Sequence, residues 1–160
     1  MNTSLFNALG YFLEVMRPFV VDVLKNHFPG EPWEGVLYAK LSPDKQRMWK
    51  ISAENIAASG GDSKNLIDFN NLVSFAISFK EQVIQEVGGK QEANRFISYL
   101  QELQAARNKC QHYQELSSTE VEMAFGSMKM IAIMLELEDL KNEIERIQSE
   151  ESAIQQPTPV

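Results

Sequence analysis

Cysteine and histidine are scarce in this chain, with one Cys and two His in 160 residues. A single cysteine cannot form an internal disulfide, which fits a reducing, cytoplasmic setting. Two His and one Cys are too few for a structural zinc site, so neither a metal nor a cofactor is expected. Long apolar runs are also missing. No stretch approaches the roughly 18 apolar residues that span a bilayer, and Glu14 and Arg17 interrupt the first apolar segment. That segment has no basic start and no small-residue cleavage site, so it does not read as a signal peptide. A soluble protein without a membrane partner is expected.

Positive charge is short as well. The formal net charge is −7. From Glu136 onward seven acids face only Lys141 and Arg146, a net −5, which leaves −2 for the first 135 residues. A protein that coats duplex DNA draws most of its affinity from phosphate neutralisation and should be basic overall. Broad or sequence-specific DNA binding is therefore not expected. A cleft that touches a few RNA phosphates needs only local positive charge, and that function class survives.

What is present is ordinary globular material. A hydrophobic content of 44% with 23% charged residues excludes wholesale disorder, and 160 residues suffice for one domain with a real core. Apolar residues recur at helical spacing from Asn2 to Leu24, with a kink or break expected near Arg17 because Pro18 removes a backbone donor. The stretch 27–32 ends that element, and Trp33 to Leu41 is short and ambiguous. Ser42 as N-cap with Pro43 at the first helical position predicts a helix to about Ala58, stopped by Gly60-Gly61. Phe69, Leu72, Val73, Ala76, Phe79, Val83 and Val87 trace one face of a longer helix that Gly88-Gly89 closes. The next helix, about Gln91 to Gln111, has a seam of Ala93, Phe96, Leu100 and Leu103. Ser117 and Glu120 have capping-box spacing for a long last helix, whose coiled-coil-like seam of Met130, Ile133, Leu137, Leu140, Ile144 and Ile147 runs past what a compact bundle needs. The expectation is an all-α bundle of four to five helices over 1–135, an extension of the last helix over 136–154, and a disordered tail or linker over 155–160.

One residue disturbs the pattern. Extending the seam beyond Leu103 reaches Arg107, where a core helix would place another Leu. A cation on an apolar line must be solvated, paired or used. Taken alone, Arg107 reads as a snorkelling side chain near a helix end. His112, five residues on, reads alone as a capping or surface residue, and an ideal helix sets positions 107 and 112 about 140° apart. His27, at the end of the first helix, suits the same structural role. Cys110 reads as a small buried apolar residue.

The run Arg107-Asn108-Lys109-Cys110-Gln111-His112 matches the R-x4-6-H signature of the HEPN superfamily in its RN-x3-H form. The chain resembles the branch named for a nuclear mRNA-surveillance endonuclease. The similarity includes Met16-Arg17-Pro18-Phe19-Val20, the run Leu66-Ile67-Asp68-Phe69-Asn70-Asn71-Leu72, and the approach Leu103-Gln104-Ala105-Ala106-Arg107-Asn108. It covers about residues 5 to 135. The chain departs from that branch at Cys110 and Gln111, where a Trp and a small residue are usual, and at Phe79, which stands for a Trp.

The resemblance implies a HEPN-like helical bundle that forms a homodimer with two motifs facing each other across a cleft. RNA carries its own nucleophile, the 2′-hydroxyl, so its cleavage needs a proton carrier and a fixed cation rather than a metal-bound water. On that chemistry His112 would be general acid/base, Arg107 would stabilise the phosphorane, and Asn108 would orient the His or a phosphate oxygen. Lys109 and Tyr113 would contact substrate, although both also read as helix-end surface residues. The family context implies a toxin or anti-phage defence role beside an ATPase or other partner domain. Two alternatives stand: a catalytically inactive HEPN module that dimerises and binds nucleotide or RNA to regulate a partner, and a plain helical adaptor in which the motif is coincidence.

Overall fold

Ser42 and Ser117 show how locally the helix starts are specified. The Ser42 hydroxyl accepts from the Lys45 N–H with Pro43 at the first helical position, and Ser117 and Glu120 form a complete capping box. The structure is a computed structural model and describes residues 2–155. Every regular element among them is helical, as expected: α1 Thr3–His27, α2 Trp33–Tyr38, α3 Pro43–Ala58, a 3-10 turn Ser63–Leu66, α4 Phe69–Ser78, α5 Lys80–Val87, α6 Lys90–Gln111, α7 Ser118–Met134 and α8 Glu138–Gln155. Five of these (α1, α3, α6, α7 and α8) run sixteen residues or more; the others are shorter. No helix among the described residues is long and apolar enough to cross a membrane.

The described residues fall into two compact units, one of residues 2–12 with 94–155, the other Leu13–Ala93. In the first, Leu5 and Leu9 of α1, Phe96 and Leu100 of α6, Phe125 and Met128 of α7 and Ile144 of α8 are fully buried. Polar contacts link its helices at their margins: Asn2 to Glu151 at 2.7 Å, Ser127 to Glu102 at 2.7 Å, and Lys129 to Gln148 at 2.8 Å. The outer face of α8 is solvated and acidic, with Arg146 bridging Glu143 and Glu150.

The second unit is built on aromatic pairs. Phe75 stacks on Phe79, Phe28 meets Phe79 edge-on, Phe19 meets Phe75 edge-on, and Trp33 meets Trp49 edge-on. His27 at the end of α1 pairs with Glu86 at 3.2 Å. Arg17 donates from Nε to the Ile67 carbonyl.

Three expectations about helix continuity are corrected. Of the kink or break expected near Arg17, the break does not occur; α1 is continuous through Pro18. An internal proline costs about 3 kcal/mol. Met16, Val20 and Leu24 on the same stretch are fully buried, each contributing roughly 1.5–3 kcal/mol, so packing outweighs the lost bond. The helix expected from Phe69 to Val87 is two, because Phe79 leaves helical geometry at φ −111°, ψ 35°. Its ring stays on the apolar seam, so the spacing of apolar residues passes through the break unaltered.

The long last helix is also two. Leu137 donates to the Ala132 carbonyl at 2.8 Å and Glu136 to Ile133 at 3.2 Å, with Glu136 left-handed at φ 56°. This is a Schellman turn with a glutamate in the usual glycine position. Residues 136–154 therefore do not extend the preceding helix; after the turn at Glu136 and Leu137 they enter a separate helix, α8, which packs back on α7. The seam divides accordingly. Leu140, Ile144 and Ile147 are buried, whereas Met130 and Ile133 face outward. The tail expected over 155–160 lies outside the described residues apart from Gln155, which ends α8.

Candidate functional site

The buried seam of α6 continues past Leu103 through Ala106 and Cys110 rather than through Arg107. Ala106 takes the core position, and Arg107 sits one residue further round the axis, half-exposed. Among the described residues two contacts hold the guanidinium, both with neutral groups. Its Cζ lies 5.3 Å from the centroid of the Phe6 ring on α1. With the Gln111 amide assigned so that its oxygen, not its NH2, faces the guanidinium, the assignment that the donors around it require, it accepts from Nη1 at 2.8 Å and Nη2 at 3.1 Å. The positive charge of Arg107 is held in place without being neutralised.

The end of α6 is a second Schellman turn. Gln114 donates to the Lys109 carbonyl at 2.9 Å and Tyr113 to Cys110 at 3.3 Å. Tyr113 stands in the left-handed position at φ 55°, where a non-glycine residue costs about 1–2 kcal/mol. His112 is the C-cap residue of this turn. Its ring is exposed and makes no hydrogen bond among the described residues. The His112 N–H still donates to Asn108 at 3.1 Å, so helical winding persists to the cap. The five-residue offset thus leaves Arg107 and His112 about 140° apart around one helix. The structure places both at the same helix end without bringing them onto one face of it.

The remaining residues divide. Asn108 is exposed. Lys109 forms an ion pair with Glu120, the capping-box residue of α7, and ties the end of α6 to the start of α7. That contact, with the Ser117 N–H, holds the Glu120 carboxyl below the ordinary glutamate range. Both residues also line a cavity of about 200 Å³ with Ala105, Ala106, Leu116 and Met123. Tyr113 is 82% exposed. Cys110 is buried, and desolvation pushes its thiol up against the opposing influence of Arg107, so it is a packing residue. No group of three or more His, Cys, Asp or Glu among the described residues is arranged to hold a metal ion.

A family model described as Swt1-like HEPN matches residues 7–136. The chain belongs to this HEPN family. The match runs from the first turns of α1 to the turn after α7, takes in the whole α6 motif, and stops before α8. HEPN domains are generally of ribonuclease type. Comparison with curated proteins and with solved structures returned no significant match. Two neighbours of Arg107 were not among the residues expected at the candidate site. Gln111 stands four residues after Arg107, a spacing that does signal a helical pair. Phe6 carried no signal, because its contact with Arg107 bridges 101 positions.

Proposed function

We propose that this HEPN domain is a metal-independent RNA endonuclease that acts as a homodimer with a composite Arg/His site. The observation that carries the reading is the pairing of an un-neutralised guanidinium, Arg107, with an exposed, unpartnered imidazole, His112, at one helix end of a Swt1-like HEPN domain. Their angular separation within one chain supports a two-fold arrangement, in which motifs from both subunits line a shared cleft. The α7 face bearing Met123, Met130 and Ile133 supports a second copy as its cover. These exposed apolar residues recur at i, i+7 and i+10 in the same compact unit as the motif.

In the proposed reaction a His112 imidazole takes the proton of the RNA 2′-hydroxyl. The 2′-oxygen bonds to phosphorus, the bond from phosphorus to the 5′-oxygen breaks, and an imidazolium returns a proton to that leaving oxygen. The products are a 2′,3′-cyclic phosphate and a 5′-hydroxyl. Arg107 stabilises the dianionic phosphorane and Asn108 orients the imidazole or a phosphate oxygen. Tyr113 offers a ring to a base, and Lys109 a cation to the backbone once released from Glu120. A toxin or anti-phage setting in the cytoplasm, beside an ATPase or other defence partner, is the context this activity suits.

The engagement of Lys109 by Glu120 favours a second reading, a catalytically inactive HEPN module that dimerises and binds RNA or nucleotide to regulate a partner. Incubating labelled RNA with the protein in EDTA separates the two. The enzyme reading expects cleavage that survives chelation and disappears in His112→Ala and Arg107→Ala. Equal cleavage by all three proteins would identify a contaminant and remove the nuclease. Binding without cleavage would support the regulatory module.

A further inference from the structure

We infer that Gln111 and Phe6 are positioning residues that turn Arg107 into a preset oxyanion receptor, an inference that rests on reading Arg107 as the phosphate-binding group. The Gln111 oxygen, at 2.8 and 3.1 Å from the two Nη atoms, occupies the end of the guanidinium fork. The Nε edge, with Nε–H and an outer Nη–H side by side, remains for a second acceptor. That edge matches two oxygens of a phosphoryl group. The Phe6 ring, 5.3 Å from Cζ, restricts swinging about the remaining torsions. Holding a long, flexible side chain in one orientation before the ligand arrives removes an entropy cost from binding.

The chemical identity of the holder matters as much as its position. A carboxylate at position 111 would grip the fork more strongly but would cancel the charge that an anion needs. A neutral amide fixes the fork and leaves the full positive charge available. In a chain of net charge −7, that keeps Arg107 from being consumed by internal acids. The ligand class is a phosphate or sulfate oxyanion, and in RNA the phosphodiester.

The test is a titration of sulfate, followed through the Arg107 Nε–Hε resonance by nitrogen-15 NMR, on four proteins of full length. In the wild type sulfate is expected to shift this resonance saturably. Gln111→Met keeps length and helix propensity but removes the acceptor, and should weaken apparent affinity about threefold or more. Gln111→Glu should weaken it by about tenfold or more, whereas Gln101→Glu, the same charge change on the exposed face of α6, should stay within about twofold. A wild-type resonance unmoved by sulfate, or equal affinities across the series, overturns the inference. RNA assays keep it separate from the nuclease reading. Cleavage lost in Arg107→Ala but unaltered in KM by Gln111→Met would sink the positioning role alone. The expected sulfate series in a protein that cuts no RNA would sustain the receptor and remove the nuclease.

Discussion

Arg17 and Ile67 are joined by a 2.9 Å hydrogen bond from Nε to the backbone carbonyl, between α1 and the segment that leads into α4. The bond unites two stretches that are 50 positions apart, Met16-Arg17-Pro18-Phe19-Val20 and Leu66-Ile67-Asp68-Phe69-Asn70-Asn71-Leu72. Asp68 is the N-cap of α4, in a reciprocal capping box with Asn71. Ile67 itself is fully buried. Burial lowers the Arg17 pKa, with the charges of Glu14 and Asp68 acting in the opposite direction. Arg17→Met should therefore leave the carbonyl unpaired and cost roughly 1.5–3 kcal/mol in urea unfolding. An unchanged midpoint would show that the bond contributes nothing.

Acid should loosen the junction of α6 and α7. The Glu120 carboxyl is depressed chiefly by its bond to Lys109 and then by the Ser117 N–H. A depressed carboxyl contributes stability above its unfolded value and loses that contribution as pH falls through its folded value. Glu120→Gln should accordingly be less stable than wild type at neutral pH. The gap should close below about pH 4. Thermal melts at neutral and acid pH check this, and a gap that does not depend on pH would count against it.

Tyr113 and Glu136 offer a matched pair of substitutions. Both are left-handed non-glycine residues in Schellman turns. Replacing either with glycine should stabilise the protein by about 0.5–1 kcal/mol. Their effects on RNA should differ. If the exposed Tyr113 ring stacks on a base, Tyr113→Gly should weaken RNA binding by about 1–3 kcal/mol, while Glu136→Gly should not. Parallel RNA affinities in the two variants would discard Tyr113 as a contact.

The outward face of α7 provides the test of assembly. Met130→Glu and Ile133→Lys alter side chains that are at least a third exposed, so folding should be little affected. Sedimentation should show a wild-type dimer and variant monomers, with RNA cleavage lost together with the dimer. Monomeric wild-type protein at high concentration would refute the composite site.

The sequence alone determined most helix starts and stops, the buried seam of α6 up to Leu103, and the motif from Arg107 to His112. Those features rest on local chemistry. Ser42 with Pro43, Ser117 with Glu120, and Gly88 act on their own backbone neighbours, and regular spacing of apolar side chains needs no knowledge of what covers them. Tertiary structure decided the rest. The turns at Tyr113 and Glu136 lack the glycine that would announce them, and the break at Phe79 keeps the apolar spacing intact. Spacing cannot tell which of Ala106 and Arg107 meets the core, because that choice depends on the helices packed alongside. The same holds for Arg107 itself. Its identity was plain in the chain, but its setting between the Phe6 ring and the Gln111 amide exists only once α1 and α6 are folded into one unit.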